Sequence, residues 1–199
     1  MRNLFIVGSS GSLGKGVTEI LIKKDFDHIY LIDRRLSFVE GENITKFQLD
    51  DVTDDNLVRE LFEKIKIENG SENFLFSSIG GFIGGKLIEE TSAEDWEKMF
   101  NLNLKSAFNL ARIFLNIIAR RATGSMVFTS AFSSFLFEKQ KIAYNTSKAA
   151  LNYFIEALSN ETFEKGITVN GIAPFTLDTE ENRQWVNNLS QLVLPIDIA

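Results

Sequence analysis

With 199 residues and 44% hydrophobic side chains, the chain can bury a sizeable core and is most simply one domain over residues 1–199. A formal charge of −6 sets it against nucleic acid and anionic membrane, which offer only negative surfaces to an acidic protein. No cysteine means no disulfide or thiolate chemistry, which fits a reducing cytoplasm, and a single histidine, His28, disfavours a histidine triad or a histidine-rich metal site.

A strand is predicted almost at the first residue, leaving no room for a signal segment, and no apolar run reaches the ~20 residues of a membrane span. Residues 4–7 form that strand, a β-branched apolar run closed by Gly8. Gly8-Ser9-Ser10-Gly11-Ser12-Leu13-Gly14 then leads into a helix over 15–22. A glycine-rich turn between strand and helix lets the backbone approach a pyrophosphate and aims the helix N-terminus at it. The second strand, 29–32, ends in Asp33, 19 positions past Gly14, where a carboxylate can accept the ribose hydroxyls of NAD. Arg34 and Arg35 follow and could neutralise a 2′-phosphate, so NAD is preferred and NADP stays open; the three charges would also suit a solvated turn.

Strands are further predicted at 44–49, 74–76, 125–129 and 167–172, with helical periodicity over 56–67. Thr91 or Ser92 caps a helix with acids in its first turn. Residues 99–118 are apolar on more than one stripe, which calls for deep burial or a subunit interface, and Asn103 and Asn109 interrupt them. A buried amide must find partners, so one of the two is expected to do polar work. Tyr144 and Lys148 share one face of a helix running to 158, where a cation can lower the pKa of a phenol and make the pair an acid/base unit. Strands alternating with helices of this length predict an α/β, doubly wound Rossmann-type sheet, parallel, with helices on both faces and ligand at the strands' carboxyl ends.

Taken in order, these segments resemble the short-chain dehydrogenase/reductase family, from residue 4 to the end of the chain. Tyr144-x-x-x-Lys148 followed by Ala149-Ala150-Leu151 is similar to its active-site helix. The run from Gly166 to Pro174 resembles the strand and proline turn after it. Asp51-Val52 resembles the pair at the adenine, and the second asparagine of Phe100-Asn101-Leu102-Asn103-Leu104 matches a catalytic one. The resemblance implies an oxidoreductase passing a hydride between NAD or NADP and a carbonyl or alcohol. Tyr144 would be the proton donor or acceptor, and Lys148 would lower its pKa and hold the nicotinamide ribose. Asn103 would anchor a water leading protons to solvent. Gly8, Ser10, Ser12, Leu13, Gly14, Asp33, Arg34, Asp51, Val52, Ile79 and Gly80 would bind the dinucleotide. Pro174, Leu177 and Thr179 would hold the carboxamide. The chain is expected to form a homodimer or homotetramer through the 99–118 helix and the one beginning at Tyr144.

Four departures stand out. The family's serine, thirteen positions before the tyrosine, is replaced by Ala131, so Ser130 or Ser133 would have to supply the oxyanion donor. Glycines 8, 11 and 14 are spaced Gly-x-x-Gly-x-x-Gly, with Ser12 where a glycine is usual. Ser77-Ser78-Ile79-Gly80 stands for Asn-Asn-Ala-Gly. The first three features resemble the dihydropteridine reductases of the family, which admits a pterin-like substrate. Finally, 194–199 resembles the start of the last helix, and the last strand is missing, as in a naturally short or a truncated chain; this would leave an open sheet edge. Residues 175–194, with Trp185, read as a mobile flap over the substrate. The departures also keep open a non-catalytic, nucleotide-binding member of the same fold.

Overall fold

The computed structural model describes residues 1–36, 39–118, 123–184, 186 and 188–198; Trp185 and Ala199, both singled out above, lie outside them. Among the described residues, six parallel strands form one sheet: β1 Arg2–Val7, β2 His28–Asp33, β3 Ile44–Gln48, β4 Glu72–Ser77, β5 Thr123–Thr129 and β6 Ile167–Ile172. Their order is β3-β2-β1-β4-β5-β6. The helices are α1 Ser12–Leu21, α2 Asp55–Phe62, α3 Ala93–Phe100, α4 Ser106–Ile118, α5 Ile142–Thr162 and the short α6 Glu180–Arg183. The doubly wound α/β sheet is as the alternating pattern predicts.

Burial explains the sequence pattern strand by strand. Central β1 is covered on both faces and reads as a continuous apolar run, while β3 and β6 at the edges alternate or thin out. One face of the sheet packs Phe5, Phe62 and Phe114 into a fully buried aromatic cluster, with Phe5 and Phe114 edge to face at 5.4 Å. The other face buries Leu4, Ile6 and Ile29 against Leu13 and Val17 of α1. The 3₁₀ turn Pro195–Ile198 returns onto α1, where Pro195 lies against Gly16.

Two local choices shape the carboxyl edge of the sheet. The strand order reverses between β1 and β4, so the turns after Val7 and Ser77 lie side by side there. Helices α3 and α4 are one helical path broken by a π turn, Asn101–Lys105, in which the Ser106 N–H donates to the Asn101 carbonyl. Such a wide turn shifts the helix face by one position and is common at functional sites. It buries Asn103. Ser92 is the cap, its Oγ accepting from the Asp95 N–H at 3.0 Å. No helix among the described residues is long and apolar enough to cross a membrane.

Candidate active site

The glycine turn is held from both sides. A Cβ at Gly14 would overlap the Gly8 carbonyl oxygen, so a bare Cα there lets α1 close onto the turn. The same oxygen accepts from Ser78 Oγ at 2.8 Å, which ties the turn to β4. The asparagine replaced by Ser78 is thus succeeded by a working hydroxyl. Gly11 precedes α1 and supplies no side-chain oxygen to its first turn. Those N–H groups have no intrahelical partner and form an anion-binding end. Asp33 accepts from the Ser10 N–H at 2.8 Å and the Arg35 N–H at 3.2 Å, fixing the carboxylate beside the turn.

Two cavities open at this edge of the sheet. The larger, about 1050 Å³, is bounded by Gly8, Ser10, Asp33, Arg34, Asp51 and Val52. Its rim carries Asp33, Asp50, Asp51, Glu94 and Glu97 against Arg34, Arg35 and Lys98, an excess of negative charge. Asn109 shapes its floor by donating to the carbonyls of Val52 at 3.2 Å and Thr53 at 3.0 Å. The second cavity, about 770 Å³, is lined by Ser12, Leu13, Tyr144, Lys148, Ser130, Ser133, Pro174, Leu177 and Thr179. Ser78, Ile79 and Gly80 border both. The sequence-derived residues therefore gather around two adjoining cavities. Gly14 and Asn103 stand behind their walls.

Asn103 works as a clamp. Its amide accepts from the Gly81 N–H at 2.9 Å and donates to the Gly81 carbonyl at 3.1 Å and to Ser147 Oγ at 2.9 Å. Ser147 in turn donates to the Tyr144 carbonyl, so the π turn, the loop after β4 and α5 are locked together. Both interrupting asparagines prove to do polar work. Gly80 sits in the angle between Lys148 and Asn103: a Cβ there would be 2.9 Å from Nζ and 3.0 Å from Oδ1. Lys148 is buried and donates to the Thr129 carbonyl at 2.7 Å.

The electrostatics correct one expectation. Lys148 does not lower the phenol of Tyr144. Burial pushes Tyr144 up to about 12, and the Glu138 carboxylate adds to the rise. Burial likewise drops Lys148 to about 8. Desolvation dominates both shifts, and the ammonium points at a backbone carbonyl. Ser130 and Ser133 both face the cavity, yet each gives its proton elsewhere: Ser130 to Asn152, Ser133 to Asn145 at 3.0 Å. Ala131 is buried between them. Phe82, Phe132, Glu138 and Lys141, which the sequence does not single out, complete the second cavity together with Phe175. They lie on connecting segments too short or irregular to carry a periodic signal.

Comparison with known proteins matches residues 2–190 to the family described as short chain dehydrogenase. A dihydropteridine reductase of Dictyostelium discoideum is 28% identical over 190 residues, covering 94% of this chain and 79% of that protein. An acetoacetyl-CoA reductase of Cupriavidus necator is 26% identical over 187 residues, covering 90% and 76% respectively. Among solved structures, ElxO with NADP bound gives a TM-score of 0.85 at 24% identity, over 99% of this chain and 88% of that one. A short chain dehydrogenase from Burkholderia cenocepacia in complex with NADP gives 0.84 at 18%, over 98% and 80%. At these identities the structural likenesses speak for the fold.

Proposed function

The chain belongs to the short-chain dehydrogenase family and is an oxidoreductase, and from that premise we propose that it reduces a carbonyl, or a pterin-like ring, with a nicotinamide dinucleotide, and runs the reverse oxidation of an alcohol. One observation carries this reading: Tyr144 and Lys148 face a cavity that shares Ser78, Ile79 and Gly80 with the neighbouring cavity walled by the glycine turn and Asp33. Two adjoining cavities beside a helix N-terminus suit a two-headed dinucleotide.

The α1 N-terminus with Gly8 and Ser10 would hold the pyrophosphate, Asp33 the adenine ribose, and Asp51 and Val52 the adenine. Lys148 would hold the nicotinamide ribose, and Pro174, Leu177 and Thr179 the carboxamide. When bound there, a reduced nicotinamide would supply the hydride for the carbonyl carbon. Tyr144, held at about 12, keeps its proton near neutrality and gives it to the carbonyl oxygen, which suits the acid role in reduction. Lys148, at about 8, exchanges protons near neutrality and refills the phenol, with Asn103 fixing the geometry of that relay. The acidic rim of the adenine lobe favours NADH over NADPH, because a 2′-phosphate would meet more carboxylates than cations.

The protein would act in the cytoplasm as a single domain, assembled as a homodimer or homotetramer through α4 and α5, where Phe108 and Tyr153 are exposed. Sedimentation showing only monomer at high concentration would remove that assembly. The functional test follows NADH and NADPH oxidation across a panel of carbonyls and an oxidised pterin, alongside the thermal shift that each cofactor produces. Cofactor-dependent turnover is expected. Stabilisation by both cofactors with no turnover on any substrate would favour a non-catalytic nucleotide-binding protein instead.

A further inference from the structure

We infer that the substrate lobe selects an uncharged, ring-bearing carbonyl compound, seated against Phe82, Phe132 and Phe175. The inference rests on the reading of Tyr144 as proton donor, and it names the substrate class of that site. The Phe82 ring stands edge-on to Tyr144 at 4.9 Å, so a carbonyl within reach of the phenol brings its neighbouring atoms against Phe82. Phe132 lies 4.2 Å from Phe175, and both line the same cavity. Phe82 is 53% and Phe175 58% exposed. Large aromatic side chains left open within one cavity mark a surface made for an apolar ligand, and their faces favour a flat ring over a puckered one.

The polar inventory sharpens this. Charged side chains facing the lobe, among the described residues, are Glu138, Lys141 and Lys148. Lys141 is 3.0 Å from the Glu138 carboxylate, and Lys148 gives one of its three N–H groups to the Thr129 carbonyl and would give another to the cofactor ribose. The hydroxyl protons of Ser130 and Ser133 are already given to Asn152 and Asn145. A substrate carboxylate would lose its water and find Lys141 already paired with Glu138 and Lys148 already engaged, so it gains little for that loss.

The test loads the full chain with oxidised cofactor and measures binding of three matched ketones by calorimetry: aryl methyl, cyclohexyl methyl, and an aryl 2-oxo carboxylate. Turnover of the same three with NADH runs in parallel. The aryl ketone is expected to bind about tenfold more tightly than either analogue. Phe175→Leu, a change at an exposed position, should shrink the aryl preference severalfold, as should Phe82→Leu. Glu138→Gln should narrow the gap between the carboxylate and the aryl ketone. Equal or tighter binding of the saturated or anionic analogue, or no binding of any, overturns the inference. A binding preference that survives without turnover keeps the inference and removes the assignment of Tyr144.

Discussion

The two lobes that meet over Ser78, Ile79 and Gly80 are made of different materials. The lobe proposed for adenine is built from backbone and short polar side chains: a glycine turn closed by Gly14, a carboxylate fixed by two N–H groups, and a loop held by Asn109. The lobe proposed for substrate is built from aromatic side chains of the connecting segments, around a half-buried phenol and a buried amine. The first works through where N–H groups and charges point, the second through how much water it excludes. Desolvation therefore governs Tyr144 and Lys148, whereas charge balance governs the adenine rim.

Perturbing each lobe in turn tests that division. Tyr144→Phe removes the proposed proton donor and should cost about 10²–10⁴-fold in kcat while NADH affinity shifts by less than about tenfold, measured by steady-state kinetics and calorimetry. Comparable losses in both would place Tyr144 in the binding of the cofactor alone. Gly14→Ala should destabilise the fold by about 1–3 kcal/mol in urea denaturation and abolish NADH binding, because the added methyl meets the Gly8 carbonyl. Retained binding would show that the turn tolerates α1 at a distance.

Lys148 offers a pH signature. Its folded value of about 8 lies below its ordinary 10.5, so between those values the unfolded chain holds a proton that the folded chain has shed. Stability should therefore rise with pH across that window, by about 2 kcal/mol between roughly pH 8 and pH 10. Above pH 10 the raised Tyr144 phenol acts in the opposite sense. Lys148→Met should flatten the rise; an equal rise in the variant would assign it to another group. The smallest effect is expected at the adenine rim. Asp33→Asn keeps an acceptor for the Ser10 N–H yet removes a charge, and should move the NADH/NADPH ratio of kcat/KM about tenfold towards NADPH. No change would mean that Arg34 and Arg35 already decide cofactor choice.

The contrast between the lobes also explains how much of each is legible in the sequence. Residues 4–7, Asp33 and the Ser92 cap are local features, in which neighbours in sequence are neighbours in space, and each stands where its pattern places it. Tyr144 and Lys148 are legible as a pair from helical spacing, but their proton affinities are not. Burial is a property of the packed loops around them, and it reverses the expected shift of the phenol. The π turn at Asn101–Lys105 breaks the periodicity on which a helix reading depends. Phe82, Phe132 and Phe175 lie far apart in the chain, on segments without a readable period, so only folding makes them one wall.

The central claim is that one dinucleotide spans both lobes with its reactive ring beside Tyr144. The most direct measurement is isotope transfer: NADH carrying deuterium at the transferring face of its nicotinamide ring, given to the full chain with an aryl ketone. The account predicts one deuterium on the new carbinol carbon and none when the label is in solvent alone. An alcohol whose carbinol hydrogen comes from solvent, or no alcohol at all despite saturating NADH, would contradict it.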